Sequence, residues 1–143
     1  MCTVKIKSCF DLTVWQKAHE LALLVFKMTE RFPKADQFGI VSQVRRSCSS
    51  VPANIAEGFG RGTTKEFLRS LQIARGELEE TRYFMLLSRD LGRISAEDFS
   101  RVNAECDSTG RLINALGRSL RNRLGNTKQL TPNKVESSLV TSH

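Results

Sequence analysis

Apolar residues recur along this chain at alternating spacings of three and four, the period of a helix with one buried face. The first run is Val14, Ala18, Leu21, Val25, Met28 and Phe32, with Trp15, Ala22 and Phe26 widening it. It predicts a helix from about Leu12 to Arg31, ended by Phe32-Pro33, with Thr13 and Gln16 at capping-box spacing. Its breadth predicts cover on more than one side. A second run, Val41, Val44, Cys48, Val51 and Ile55, predicts a helix from an Asp36 cap to about Glu57, with Gly58 as its C-terminal glycine. The third opens at Thr63 with Glu66 three residues on, continues through Phe67, Leu71, Ala74, Leu78 and Met85, and closes at Gly92. The fourth is capped by Ser95 with Asp98 at N3 and runs Phe99, Val102, Cys106, Thr109, Ile113, Leu116 and Leu120. Four such stripes joined by short loops predict an all-α protein, an antiparallel up-down-up-down four-helix bundle over residues 11–123. Residues 1–10 are too short for a strand without a partner and are expected extended or frayed. Residues 124–143 lose all periodicity and are expected to form a disordered basic and polar tail.

The second helix is the unusual one. Pro52 cannot donate to the Cys48 carbonyl and crowds it, at a cost of about 3 kcal/mol in an ordinary helix interior. The apolar spacing keeps its phase across the proline, which favours one kinked helix over two short ones meeting at Ser50. Opposite the apolar stripe lie Arg46, Ser50, Ala53 and Glu57, with Asn54 beside them. Arg46 and Glu57 are eleven residues apart, roughly 16 Å along a helix, so they cannot pair within one chain. Either two copies meet on this face, making it an oligomer interface, or it is a solvated polar surface.

Charge adds a regional feature. The net charge is +7, yet residues 11–117 hold 15 Lys/Arg against 14 Asp/Glu. Between residues 45 and 75, Arg45, Arg46, Arg61, Lys65, Arg69 and Arg75 face only Glu57 and Glu66, and Arg118, Arg121 and Arg123 follow near the end. Arginine can grip phosphate through two parallel hydrogen bonds, a contact that gives affinity without base readout. Trp15, Tyr83 and most phenylalanines sit in apolar stripes, so stacking on bases is not expected and binding should be salt-sensitive. The competing reading pairs these arginines with neighbouring glutamates, while Glu77, Glu79 and Glu80 spread around the third helix as a solvated surface or an oligomer contact.

Other chemistry finds little support. The histidines are His19 and His143, and Gln16 stands where a Glu-x-x-His metal pair would need its carboxylate. Cys2, Cys9, Cys48 and Cys106 show no C-x-x-C spacing, and a zinc site through Cys48 and Cys106 would lack two ligands. The glycines of Gly58–Lys65 do not follow the phosphate-loop order, and no strand precedes them. Cys48 and His19 both have structural explanations. The expectation is a non-enzymatic, cofactor-free, cytoplasmic protein with no membrane segment.

The run SQVRRSCSSVPANIAEGFGR, with FPKADQFGI before it and FLRSLQIARGELEET after it, resembles a bacterial four-helix-bundle family. That family includes the proteins encoded in intervening sequences of large-subunit ribosomal RNA genes and the accessory variability determinants of diversity-generating retroelements. The resemblance covers about residues 11–121 and is most specific from Pro52 to Gly58. It implies a homopentameric barrel of four-helix protomers with a positive surface. It also implies that the accessory branch binds nucleic acid, RNA or an RNA/DNA hybrid, and a reverse transcriptase. On matching positions it points to the arginine pair Arg45–Arg46, to Asn54 and Glu57, and to Arg75. This chain departs from the pattern at Cys48 and Ser49, usually small and apolar, and at Glu77, where serine is frequent. A protein-interaction scaffold that leaves nucleic acid to its partner is the alternative role.

Overall fold

A computed structural model describes residues 6–125; the expectations for residues 1–5 and for the tail beyond Gly125 lie outside them. The described residues contain four α-helices and no strand: α1 (Thr13–Thr29), α2 (Ser42–Gly60), α3 (Thr64–Asp90) and α4 (Ala96–Leu124). Each packs against two others, in the pairs α1 with α2, α2 with α3, α3 with α4 and α4 with α1. The predicted stripes meet in one core. Leu12, Leu21, Ile55, Leu78, Met85, Leu116 and Leu120 are all fully buried there, each burial being worth about 1.5–3 kcal/mol. Among the described residues no helix is long and apolar enough to cross a membrane.

Several local expectations hold. Thr63 accepts from the Glu66 amide at 3.2 Å, and Ser95 accepts from the Asp98 amide at 3.0 Å, so both caps close orphan donors of a first turn. Gly92, at φ +74°, ends α3 in the left-handed region, its amide bonded to the Arg89 carbonyl. The long α2 passes through Pro52 as one helix, with Pro52 buried. Around it, Ser49 and Ser50 hydroxyls donate to the carbonyls of Arg45 and Arg46, both at 2.7 Å. The Asn54 amide donates to the Ser50 carbonyl, also at 2.7 Å.

Others differ, each for a physical reason. Residues 6–10 are not frayed: Ser8 caps a 3₁₀ turn at Cys9–Asp11, and Ile6 and Cys9 are buried in the core. Thr13 makes no capping bond; α1 begins after Leu12, whose side chain is wholly buried and anchors the start. Asp36 does not cap α2. It closes a separate 3₁₀ turn and bonds Arg93 Nε at 2.6 Å, while a π-helical turn at Gln37–Val41, broken at Gly39, leads into α2. Nor does Gly58 end α2, which continues to Gly60; the left-handed residue is Gly62, at φ +80°. A Cβ on Gly58 would stand 2.4 Å from Ser70 Cβ, so the glycine lets the α2 backbone pack directly against the Ser70 side chain of α3. Finally, α1 packs on both α2 and α4, yet part of its broad apolar face stays uncovered, leaving Leu23 57% and Phe26 38% exposed.

Candidate nucleic-acid interface

The helix contacts set where the arginines stand. Arg46, early in α2, reaches Glu77 and Glu80, past the middle of α3, whereas Gly58, late in α2, meets Ser70. Similarly Arg82 of α3 bonds Asp107 of α4, and Arg75 bonds Asn114. Contacts that advance along one helix thus retreat along the next, so the first half of α3 lies beside the second half of α4. There the sequence places Arg61, Lys65, Arg69, Arg75, Arg111, Arg118 and Arg121, against Glu66 and the Glu57 paired to Arg61.

Few partners neutralise this group. Arg61 holds Glu57 at 2.8 Å one helical turn away, with both side chains more than half exposed, a pair worth little in water. Arg75 Nη1 donates to the Asn114 Oδ1 at 2.7 Å, a neutral acceptor. Arg121 lies along α4 with its Nη1 3.4 Å from where a Cβ of Gly117 would be. Arg75 and Arg121 both border a shallow groove floored by Leu68, Leu71 and Ile113. Lys65, Arg69, Arg111 and Arg118 are exposed and make no ion pair among the described residues. The surface is cationic, and Phe59, two residues before Arg61, packs edge-on against Phe67.

Arg45 and Arg46 belong elsewhere. Arg45 Nε donates to the Thr29 hydroxyl at 2.9 Å, and its guanidinium stacks over the Phe26 ring at 4.8 Å. Arg46 is clamped by two carboxylates of α3, Glu77 at 3.2 Å and Glu80. The Arg46 hydrogen bond holds the Glu80 carboxyl below its ordinary range, against a smaller opposing effect of burial. Glu77 and Glu80 are therefore no loose acidic surface: they converge on one guanidinium, and Glu79 joins Asp107 on Arg82. Sequence reasoning missed the pairs of Arg46 with Glu77 and Glu80 and of Arg82 with Asp107 because they need the register between helices; Glu79 and Arg82, three residues apart on α3, were within reach of a spacing argument.

The predicted oligomer residues remain on one ridge of α2. Arg46, Ala53 and Glu57 are exposed, and Ser50 and Asn54 half-buried. Beside the ridge, an apolar groove of about 490 Å³ runs between α1 and α2, lined by Phe10, Trp15, Leu23 and Phe26 on one wall and Ala53 and Ala56 on the other. His19 stacks on Trp15 at 4.9 Å on that surface, and no hydrogen bond joins it to Cys48. Burial pushes the thiols of Cys9, Cys48 and Cys106 up to about 12, which suppresses the reactive thiolate. No group of three or more metal-ligating side chains forms among the described residues.

The fold and its surface define an all-helical protein whose α3 and α4 carry several exposed cations that make no ion pair among the described residues. The chain matches the family described as 23S rRNA-intervening sequence protein over residues 10–115, and it belongs to that family. Among solved structures it is similar to a protein of unknown function from the S23 ribosomal protein family of Bacteroides thetaiotaomicron VPI-5482. The two share 26% identity, with a TM-score of 0.63 over 71% of this chain and 94% of the other. No curated protein matches.

Proposed function

We propose that this chain is a non-enzymatic, oligomeric accessory protein of the cytoplasm that binds nucleic acid, RNA or an RNA/DNA hybrid, through the α3/α4 cationic surface. The observation that carries this reading is the cluster of Lys65, Arg69, Arg111 and Arg118 without carboxylate partners, next to Arg75 and Arg121. The protomer is an antiparallel up-down bundle, a topology supported by the paired contacts of α2 with α3 and α3 with α4. It assembles as a homopentamer, in keeping with the family resemblance, and serves a reverse transcriptase in a diversity-generating retroelement.

Binding by about four phosphate contacts should weaken about a hundredfold between roughly 50 and 200 mM salt. Titration of labelled RNA and RNA/DNA hybrid duplexes across that range tests it; an affinity indifferent to salt would overturn it. Size-exclusion chromatography with light scattering tests the copy number. A second reading, a scaffold that binds only protein, is favoured by the uncovered apolar groove between α1 and α2. Pull-down of a polymerase partner after nuclease treatment, with no affinity for naked RNA, would support the scaffold instead.

A further inference from the structure

A separate pocket lies where the end of α1 meets the start of α4. It has a volume of about 420 Å³, within the range of roughly 300–1,000 Å³ usual for small-ligand sites. Four cations line it, Lys27, Arg31, Arg93 and Arg101, against a single carboxylate, Asp98. Of these, Arg93 is held by Asp36 at 2.6 Å and by the Leu91 carbonyl at 3.3 Å. Its amide bonds the Ser88 carbonyl at 2.8 Å, beside the left-handed Gly92, so the pocket edge is built by a fixed turn. Lys27, Arg31 and Arg101 are exposed and make no ion pair among the described residues.

Like charges brought to one concavity repel each other, and a multivalent anion relieves that repulsion. A guanidinium binds phosphate oxygens through a planar fork, and an ammonium adds a point charge. The remaining wall is chemically different. Leu24, Met28 and Ile94 are half-buried and offer an apolar surface of the kind that takes the flat face of a base. Asp98, whose backbone N–H donates to Ser95 Oγ at 3.0 Å in the first turn of α4, brings an acceptor-only carboxylate to the pocket lining. That group disfavours a bare phosphate and suits the hydroxyls of a ribose.

The geometry points to a nucleoside polyphosphate as the ligand of this pocket, with phosphates on Lys27, Arg31 and Arg101, ribose hydroxyls on Asp98, and the base against Leu24, Met28 and Ile94. The assignment is independent of the α3/α4 surface, which contributes no residue to the pocket.

Isothermal titration calorimetry of the full chain with ATP, inorganic pyrophosphate and adenosine tests it. ATP binds more tightly than pyrophosphate, and adenosine binds least. The triple variant Lys27→Gln, Arg31→Gln, Arg101→Gln weakens ATP about a hundredfold, as expected for the loss of several charge-assisted hydrogen bonds. Asp98→Asn weakens ATP while leaving pyrophosphate unchanged or tighter. Should the triple variant not fold, acetylation of the wild-type chain read by mass spectrometry gives the same answer: ATP protects Lys27 and leaves the exposed Lys7 open. Absence of ATP binding, equal binding by the triple variant, pyrophosphate matching ATP, or an unprotected Lys27 would each overturn the assignment.

Discussion

In the second half of α3, the cations are tied down. Arg82 donates to Asp107 at 2.9 Å and to Glu79 at 3.2 Å, Arg89 stacks over Phe99 at 4.8 Å and pairs with Asp90, and Glu77 and Glu80 hold Arg46 of α2. In the first half of the same helix, Lys65 and Arg69 make no ion pair among the described residues, and Arg75 holds a neutral amide. The two halves share one helix and one pair of neighbours, so propensity cannot explain the difference. What differs is the neighbouring sequence. The start of α2 and the middle of α4 bring Arg46 and Asp107 opposite the acids and Arg82 of α3, whereas the second half of α4 brings further arginines opposite its first half. One half of α3 is cross-linked to its neighbours by charge, and in the other half Lys65 and Arg69 make no ion pair among the described residues.

The largest test of this contrast removes the charge from one half at a time. Changing Arg69, Arg75, Arg118 and Arg121 together to glutamine should weaken RNA binding about a hundredfold and flatten its salt dependence. Arg46→Gln and Arg82→Gln should leave RNA affinity within about twofold, since those guanidiniums already satisfy carboxylates. Fluorescence anisotropy at fixed salt measures both. Equal losses from the two sets would erase the distinction.

The next effect concerns the framework that positions the cationic half. Gly58→Ala would drive a Cβ to 2.4 Å from Ser70 Cβ and 3.3 Å from Phe67 Cδ1, atoms of buried side chains that cannot swing into solvent. Overpacking of this kind costs about 1–3 kcal/mol. Urea denaturation should show that loss. Gly60→Ala, with nothing within 4 Å of the added atom, should cost nothing measurable and confirms that the close approach, not helix propensity, is responsible. Restoration of Gly58→Ala by Ser70→Gly would locate the clash.

This glycine also shows where the sequence stops being readable. The four stripes, the Thr63 and Ser95 caps and the Gly92 stop are local signals, each written in residues within one or two turns, and they are legible. Gly58 reads locally as a helix terminator, yet its cause lies in Ser70, twelve residues on and on another helix. Asp36 reads as a cap because its true partner, Arg93, is far along the chain. Arg45 and Arg46 read as phosphate ligands by proximity to the other arginines, but neither Thr29 and Phe26 nor Glu77 and Glu80 can be assigned to them without inter-helix register. The basic half of the site was legible from composition; its separation from the neutralised half was not.

A smaller effect probes the hydrogen bonds that reinforce the cross-linked half. Ser47 Oγ donates to the Val44 carbonyl and accepts from Thr81 Oγ1 at 2.9 Å, both residues fully buried; Thr81 Oγ1 also lies 2.9 Å from the Glu77 carbonyl. Thr81→Val keeps the shape and removes the hydroxyl. Ser47 retains its own acceptor, so the loss should stay near about 1 kcal/mol, read as a shift in urea midpoint with unchanged slope. The additional substitution Ser47→Ala should then add less than it does alone, because the bond between the two is already gone.

The smallest effect is the pH dependence of the Arg46 clamp. Arg46 holds the Glu80 carboxyl below its ordinary value of 4.5. A carboxyl whose folded value is depressed contributes stability that is fully present above the unfolded value and is lost as pH falls through the folded one. The Arg46 and Glu80 side chains are 48% and 36% exposed, so solvent screening keeps the contribution near about 0.5 kcal/mol. The stability difference between the wild-type chain and Arg46→Gln should therefore be constant near neutrality and shrink as pH drops below about 4.5. Denaturation curves at a series of pH values decide it. A difference that grew on acidification would mean that the clamp is not held by an ionised Glu80, and the charge cross-link proposed for this half of α3 would lose its best-defined member.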